Sequence, residues 1–387
     1  MPILNRAAEM HEEVSAWRRH IHENPGLLYD VEETAAFVEA RLREFGVDEI
    51  VTGIGRTGVV GIIRGHGEST RVIGLRADMD ALPLSEITGK PWASRHEGKM
   101  HACGHDGHTA MLLGAAKYLS ETRNFNGAVA VIFQPAEEGG RGALAMVEDG
   151  MMERFNIAEV YGMHNMPGMP LGTFAIRKGG IMAAPDKFSI TIKGRGGHAA
   201  EPHRTADPIV IGAQIVGGLQ MIAARNANPL RSVVVSITQF HAGTTHNIIP
   251  EEALLTGTVR SLDEAVRDLA EQRIRQIAEG IALANGAVAE VDYERACPVT
   301  VNHPEETVHA ARAAVDIVGA PNVNTEVDPS MAGEDFAFML QSRPGAYIMI
   351  GNGQTAPLHN PAYDFNDEAL GYGISYWVKL AEQRLTD

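Results

Sequence analysis

Apolar residues recur along this chain with two different periods. Glu9 to Ile21 and Glu32 to Phe45 carry them at helical spacing, and Phe45-Gly46 supplies a stop to the second segment. Gly58-Val59-Val60-Gly61-Ile62-Ile63 and Val72-Ile73-Gly74-Leu75 read as strands, and Val129 to Phe133 reads as a short buried strand. Thr109 to Leu119, rich in Ala and Leu, predicts a helix between them. Such alternation predicts an α/β fold: a central mixed sheet with helices packed on its faces.

From about Asp186 to Arg295 the pattern changes. Phe188 to Ile192 alternates as a half-exposed strand, Ala206 to Ala224 is helical, and Ser232 to Phe240 and Ala253 to Arg260 are strands. Asp263 to Ala284 predicts a long helix, and Ala287 to Tyr293 a last strand. The order βαββαβ is that of an α+β ferredoxin-like unit, long enough to fold as a module. The expected organisation is a catalytic domain in two parts, 1–184 and 297–387, interrupted by an inserted domain at 185–296. The last helix, Asp367 to Leu385, sets Tyr376, Trp377 and Leu380 on an apolar face.

Bulk properties narrow the function. At 387 residues the chain exceeds the usual size of a single core. A formal charge of −16 argues against binding a phosphate backbone, so no nucleic-acid partner is expected. No run of eighteen apolar residues occurs, which predicts no membrane span. Two cysteines and no secretory apolar core at the amino terminus point to a reducing cytoplasm.

The chemistry concentrates in Met100-His101-Ala102-Cys103-Gly104-His105-Asp106-Gly107-His108. Thiolate and imidazole are preferred ligands of divalent transition metals. Cys103 and His105 can face one point only on extended or looped backbone, which Gly104 permits. Partners follow other apolar runs: Glu137-Glu138 after Val129–Phe133, His164 after Val160-Tyr161-Gly162, and His359 after Tyr347–Gly351. An apolar strand followed by a ligand-type residue occurs three times, which favours a metal centre. Each member alone is commonplace: a buried Cys is usually a small hydrophobe, as Cys297 reads, and a Glu-Glu pair is usually solvated. His101 and His108 are candidates for supporting or purely structural roles.

Together with Arg76-Ala77-Asp78-Met79-Asp80-Ala81-Leu82-Pro83, the Gly197-His198 region and Asn247-Ile248-Ile249-Pro250, these motifs resemble the aminoacylase and carboxypeptidase-G type of dinuclear metallo-amidohydrolase, in its hippurate hydrolase branch. The resemblance covers essentially the whole chain. It implies a metallopeptidase-like catalytic domain and two divalent ions per subunit, with zinc, manganese, cobalt and nickel all compatible with a bridging thiolate. By it, Cys103 bridges the ions, His105 and His164 complete one, and Glu138 and His359 complete the other. The wider superfamily takes a histidine from the motif matching Arg76-Ala77-Asp78; here Arg76 stands in that motif and His105 substitutes. Asp78 would orient a metal-bound histidine.

The implied reaction is hydrolysis of the amide of an N-acyl or N-aroyl amino acid. Glu137 would serve as the proton-transferring base. His198 would stabilise the oxyanion from the inserted domain of a partner subunit in a homodimer or tetramer. Asn247 and Arg260 match positions that contact the substrate carboxylate, for which an Arg fork is suited. Ser330 to Phe336 reads as a substrate-side loop opening a helix, its acidic pair equally suited to stabilising the helix N-terminus. Two rival readings are a cysteine-nucleophile amidase using Cys103, and a non-catalytic metal-binding scaffold.

Overall fold

The computed structural model describes residues 4–386. Its contacts divide the chain into two compact units: Met1–Ile181 with Val301–Asp328 and Asp335–Asp387, and Met182–Thr300 with Pro329–Glu334. The inserted unit thus begins at 182 and ends at 300, slightly wider than the sequence pattern indicates. It also takes the short segment 329–334.

In the first unit, helices α1 (His11–Glu23) and α2 (Glu32–Glu44) precede strands β1 (Glu49–Ile54), β2 (Gly58–Arg64) and β3 (Val72–Asp78). Helix α3 (His105–Thr122), strand β4 (Ala128–Gln134) and strand β5 (Ile157–Met166) follow. The inserted unit holds β6 (Ala184–Lys193), β7 (Gly197–His198), α4 (Pro208–Met221), β8 (Val233–Ala242), β9 (Ile248–Ile249), β10 (Glu252–Ser261), α5 (Glu264–Ala284) and β11 (Val288–Glu294). The chain then returns through α6 (Pro304–Val318), β12 (Gly345–Gly351) and α7 (Leu370–Arg384).

The large sheet has eight strands in the order β1-β2-β4-β3-β5-β12, then Phe174–Ala175 and Val323–Asn324. Strands β4, β3, β5 and β12 are mutually parallel, and β1 and β2 run antiparallel at one edge. This is the mixed α/β sheet expected from the alternation. β3, β4 and β12 are buried along their whole lengths, which explains why they read as unbroken apolar runs. Helix α3 is apolar on nearly every side because it is buried on nearly every side, packed against β3, α1 and α7. β1 escapes the sequence pattern: it is an edge strand, with Glu49, Thr52 and Gly53 exposed.

In the inserted unit the sheet order is β8-β10-β6-β11, all antiparallel, with α4 and α5 packed on it. Both helices start on an Asp cap: Asp207 accepts from Ile209 N at 2.9 Å, and Asp263 from Ala265 N at 2.9 Å and Val266 N at 3.2 Å. The stretch Pro208–Asn226, α4 with a π-turn at its end, is long and apolar enough by length and composition to cross a membrane. Here Ile211, Ile215, Leu219 and Ile222 fill the unit's core, while Ile209, Val210 and Met221 stay exposed.

Candidate metal centre

Parallel strands end at the same edge of a sheet, and that edge is where the ligand-type residues collect. In register, Asp78 lies opposite Gln134 on β4, and His164 opposite Met349 on β12. His164 is inside β5, two residues before its end, rather than in the loop beyond. After β4 the chain turns at Ala136 (φ 54), and Asp80 pins that turn. Its carboxylate accepts from Glu137 N at 2.9 Å and Glu138 N at 3.1 Å. The loop after β12 is tied in by His359 N donating to Ala102 O at 2.8 Å. Gly104 sits at φ 92, so Cys103 and His105 stand on either side of a left-handed residue at the mouth of α3.

The ligand atoms of Cys103, His105 and His164 lie within 4.8 Å of one another, and those of Cys103, Glu138 and His359 meet the same limit. Cys103 Sγ is 3.4 Å from His164 Nε2, and Glu138 Oε1 is 3.3 Å from His359 Nε2. Cys103 is common to both groups. A third group joins His105 and Glu138 to Glu137. Cys103, His105 and His164 are buried, whereas His359 is exposed, so the cluster opens to solvent on one side.

Hydrogen bonds decide which nitrogens can bind. His105 Nδ1 lies 2.7 Å from Asp80 O, and His164 Nδ1 lies 2.6 Å from Asn165 O. A carbonyl only accepts, so both rings carry hydrogen on Nδ1 and present the Nε2 lone pair. His105 Nε2 is buried with no hydrogen-bond partner, a cost that a cation removes. His108 has nothing to offer: Asp78 Oδ1 takes its Nδ1 at 2.6 Å, and its Nε2 accepts from Asn165 N at 2.9 Å. His101 is buried with both nitrogens unpartnered, and burial pushes its pKa down to about 3, so the ring is neutral.

The donor set of one sulfur, three imidazoles and a carboxylate fits divalent transition metals. Burial opposes charging His105, but the Asp78 carboxylate and the Cys103 sulfur hold its pKa well above the usual value. Hydrogen bonding to Cys103 and Glu138 raises His359 to about 10. Burial pushes the Cys103 thiol up, and the Glu138 charge adds to that.

Asp78 hydrogen-bonds His108 rather than His105. It orients His108, and its second oxygen takes Arg76 Nη1 at 2.7 Å. It stands 3.8 Å from His105 Nε2, too far for a hydrogen bond, and the Asp80 carbonyl orients that ring instead. Arg76, fully buried, spends its guanidinium on Gln134, Asp78 and Asp335. Asp335 is therefore a counterion to Arg76 that also accepts from Ala143 N at 2.9 Å, more than the helix-start charge its sequence position indicates.

In the inserted unit, β7 pairs with β9, setting His198 opposite Ile248, and Asn247 O accepts from Ala199 N at 3.1 Å. His198 Nδ1 accepts from Ala200 N at 3.1 Å, which leaves hydrogen on Nε2. Arg260, half-buried near the end of β10, donates to Thr258 Oγ1 and Val259 O and hydrogen-bonds no carboxylate among the described residues. Burial holds its pKa below the usual arginine value.

The profile of peptidase family M20/M25/M40 matches residues 74–383, and the chain belongs to that family, a metal-dependent hydrolase of amide bonds. Among its relatives, hippurate hydrolase of Campylobacter jejuni is 45% identical over 381 residues, covering 98% of this chain and 99% of that one. N-acetylcysteine deacetylase of Bacillus subtilis is 39% identical over 372 residues, 96% of each chain. The solved Bacillus subtilis YXEP protein, a dinuclear metal-binding peptidase from the M20 family, superposes with a TM-score of 0.85 at 37% identity, covering 98% of this chain and 99% of that one.

Proposed function

We propose that this enzyme hydrolyses the amide bond of N-acyl or N-aroyl amino acids, releasing a carboxylic acid and an amino acid. The observation that carries the reading is one sulfur, Cys103 Sγ, shared by two ligand groups with Glu137 beside them. His105 and His164 would hold one divalent ion, Glu138 and His359 the other; zinc, manganese, cobalt and nickel all suit the set. Bound there, the ions supply a water of lowered pKa and Lewis acidity toward the scissile carbonyl.

Glu137 takes the proton from the attacking water and returns it to the departing amine nitrogen. Asp80 holds the Glu137 main chain, and Asp335 N reaches Glu137 Oε1 at 3.4 Å. His198, with hydrogen on Nε2, donates to the developing oxyanion from the inserted unit of a second subunit. Arg260 and Asn247 take the substrate α-carboxylate; among the described residues Arg260 hydrogen-bonds no carboxylate, which supports that role. The exposed apolar residues of α4 and of edge strand β8, Ile209, Val210, Val234 and Phe240, support a dimer built through this unit. A reducing cytoplasm suits the free thiols of Cys103 and Cys297. The burial of Cys103 runs against its acting as a nucleophile, which calls for a partly exposed thiolate.

The test is a turnover screen. Protein stripped by chelator is assayed with benzoyl-glycine and a panel of N-acetyl amino acids, adding each of the four metals in turn. Activity lost on stripping and restored by metal is expected. Full activity after complete stripping, or no turnover of any N-acyl amino acid with any metal, rejects the reading.

A further inference from the structure

Asn165 follows a candidate ligand directly in sequence, yet its contacts reach much of the cluster. The residue is fully buried, and each of its polar groups is engaged. Its backbone carbonyl orients His164, and its backbone N–H holds His108. The side-chain Nδ2 donates to Cys103 O at 2.7 Å and lies 3.0 Å from His108 Nε2. Oδ1 accepts from Tyr363 Oη at 2.6 Å.

We propose that Asn165 is a positioning residue for the shared sulfur: its side-chain amide clamps the main chain of Cys103 so that Sγ stays between the two cation positions. This rests on the reading that Cys103 serves two ions. Cys103 lies just outside α3, so its carbonyl takes a hydrogen bond from Asn165 rather than from the helix. Gly104 completes the device. A Cβ on Gly104 would lie 2.2 Å from Asn165 Nδ2 and 2.5 Å from Tyr363 Oη, so the amide packs directly on the glycine. A ligand that would serve two ions has to satisfy both at once, so it would tolerate less displacement than a ligand to one. Removing a partner that orients a ligand typically costs about 10–100-fold in metal affinity.

Cobalt(II) titrated into stripped protein tests this, with stoichiometry and affinity read by calorimetry and the thiolate-to-cobalt charge-transfer band read in the near ultraviolet. The parent should bind two ions and show the band. Asn165→Ala should bind about 10–100-fold more weakly, with a shifted or weakened band. Asn165→Asp keeps the shape and the acceptor for Tyr363 but loses the N–H toward Cys103. Its added negative charge would by itself tighten cation binding, so weaker binding there isolates the donor.

Parental affinity and band in both variants overturn the proposal. Should circular dichroism show neither variant folded, Tyr363→Phe decides: a loss of about fivefold, the worth of one hydrogen bond, supports the clamp, and parental values overturn it. A parent that binds fewer than two ions or lacks the band sinks the shared-sulfur reading itself, a separate failure.

Discussion

The sheet edge of the first unit and the β7–β9 pair of the inserted unit both carry candidate functional histidines, but they hold them differently. His105 and His164 are buried, and each has one ring nitrogen locked on a carbonyl. His198 is exposed on a two-residue strand and is steadied by one backbone N–H of its own loop. Cations need several donors fixed in advance, because uncompensated charge in a buried cluster is costly. A single hydrogen-bond donor needs only its own hydrogen presented outward, so an exposed ring held by one backbone contact suffices. The difference separates histidines fixed by buried tertiary contacts from one held only within its own loop.

The largest effect should come from Glu137→Ala, which should keep both metals yet lower kcat by about a thousandfold, within the usual range for a general base. Metal analysis and steady-state rates check it; a near-parental rate, or loss of the ions, removes Glu137 from that role. Next, His198→Ala subunits mixed with Glu137→Ala subunits should recover part of the activity that each lacks alone. No recovery after demonstrated subunit exchange would place His198 outside the neighbouring site.

A smaller effect concerns the buried charges beneath the centre. Burial disfavours a charged His22, but Asp106, 2.8 Å from its Nδ1, and Glu86 raise its pKa to about 9. A raised histidine stabilises the fold fully below its unfolded value and loses that contribution as pH climbs through the folded one. Stability should therefore drop between about pH 6.5 and 9, by at most roughly 3 kcal/mol. Urea unfolding across that range should show a shallower slope in His22→Gln; an unchanged slope would discount the pair. Smallest, Asp263→Ala should cost about 1 kcal/mol through the lost α5 cap while leaving metal content unchanged.

Much of the centre was legible because its grammar is local. A buried strand is an unbroken apolar run, so ligand-type residues near or beyond its end, Glu137, Glu138, His164 and His359, stand out as candidates, and the family resemblance selects among them. Asp80 was missed although it stands in the same motif as Asp78, since nothing in one dimension indicates which carboxylate receives the N–H groups of Glu137 and Glu138. Asp335 reads from sequence as part of a substrate-side loop or as a helix-start acid, and its pairing with Arg76, 259 residues away, is invisible to either reading.

The sequence by itself determined the two-unit plan, the α/β sheet and the kinds of atoms available for a metal, since these follow from periodicity and side-chain chemistry. Only the tertiary structure decided which atoms serve. Three histidines crowd one nine-residue motif, and they differ only in what surrounds their nitrogens: His105 keeps a lone pair because a carbonyl takes its other side, His108 spends both nitrogens, and His101 keeps both but stands in none of the ligand clusters. Hydrogen bonds between residues far apart in the chain make that choice, and no local pattern encodes it.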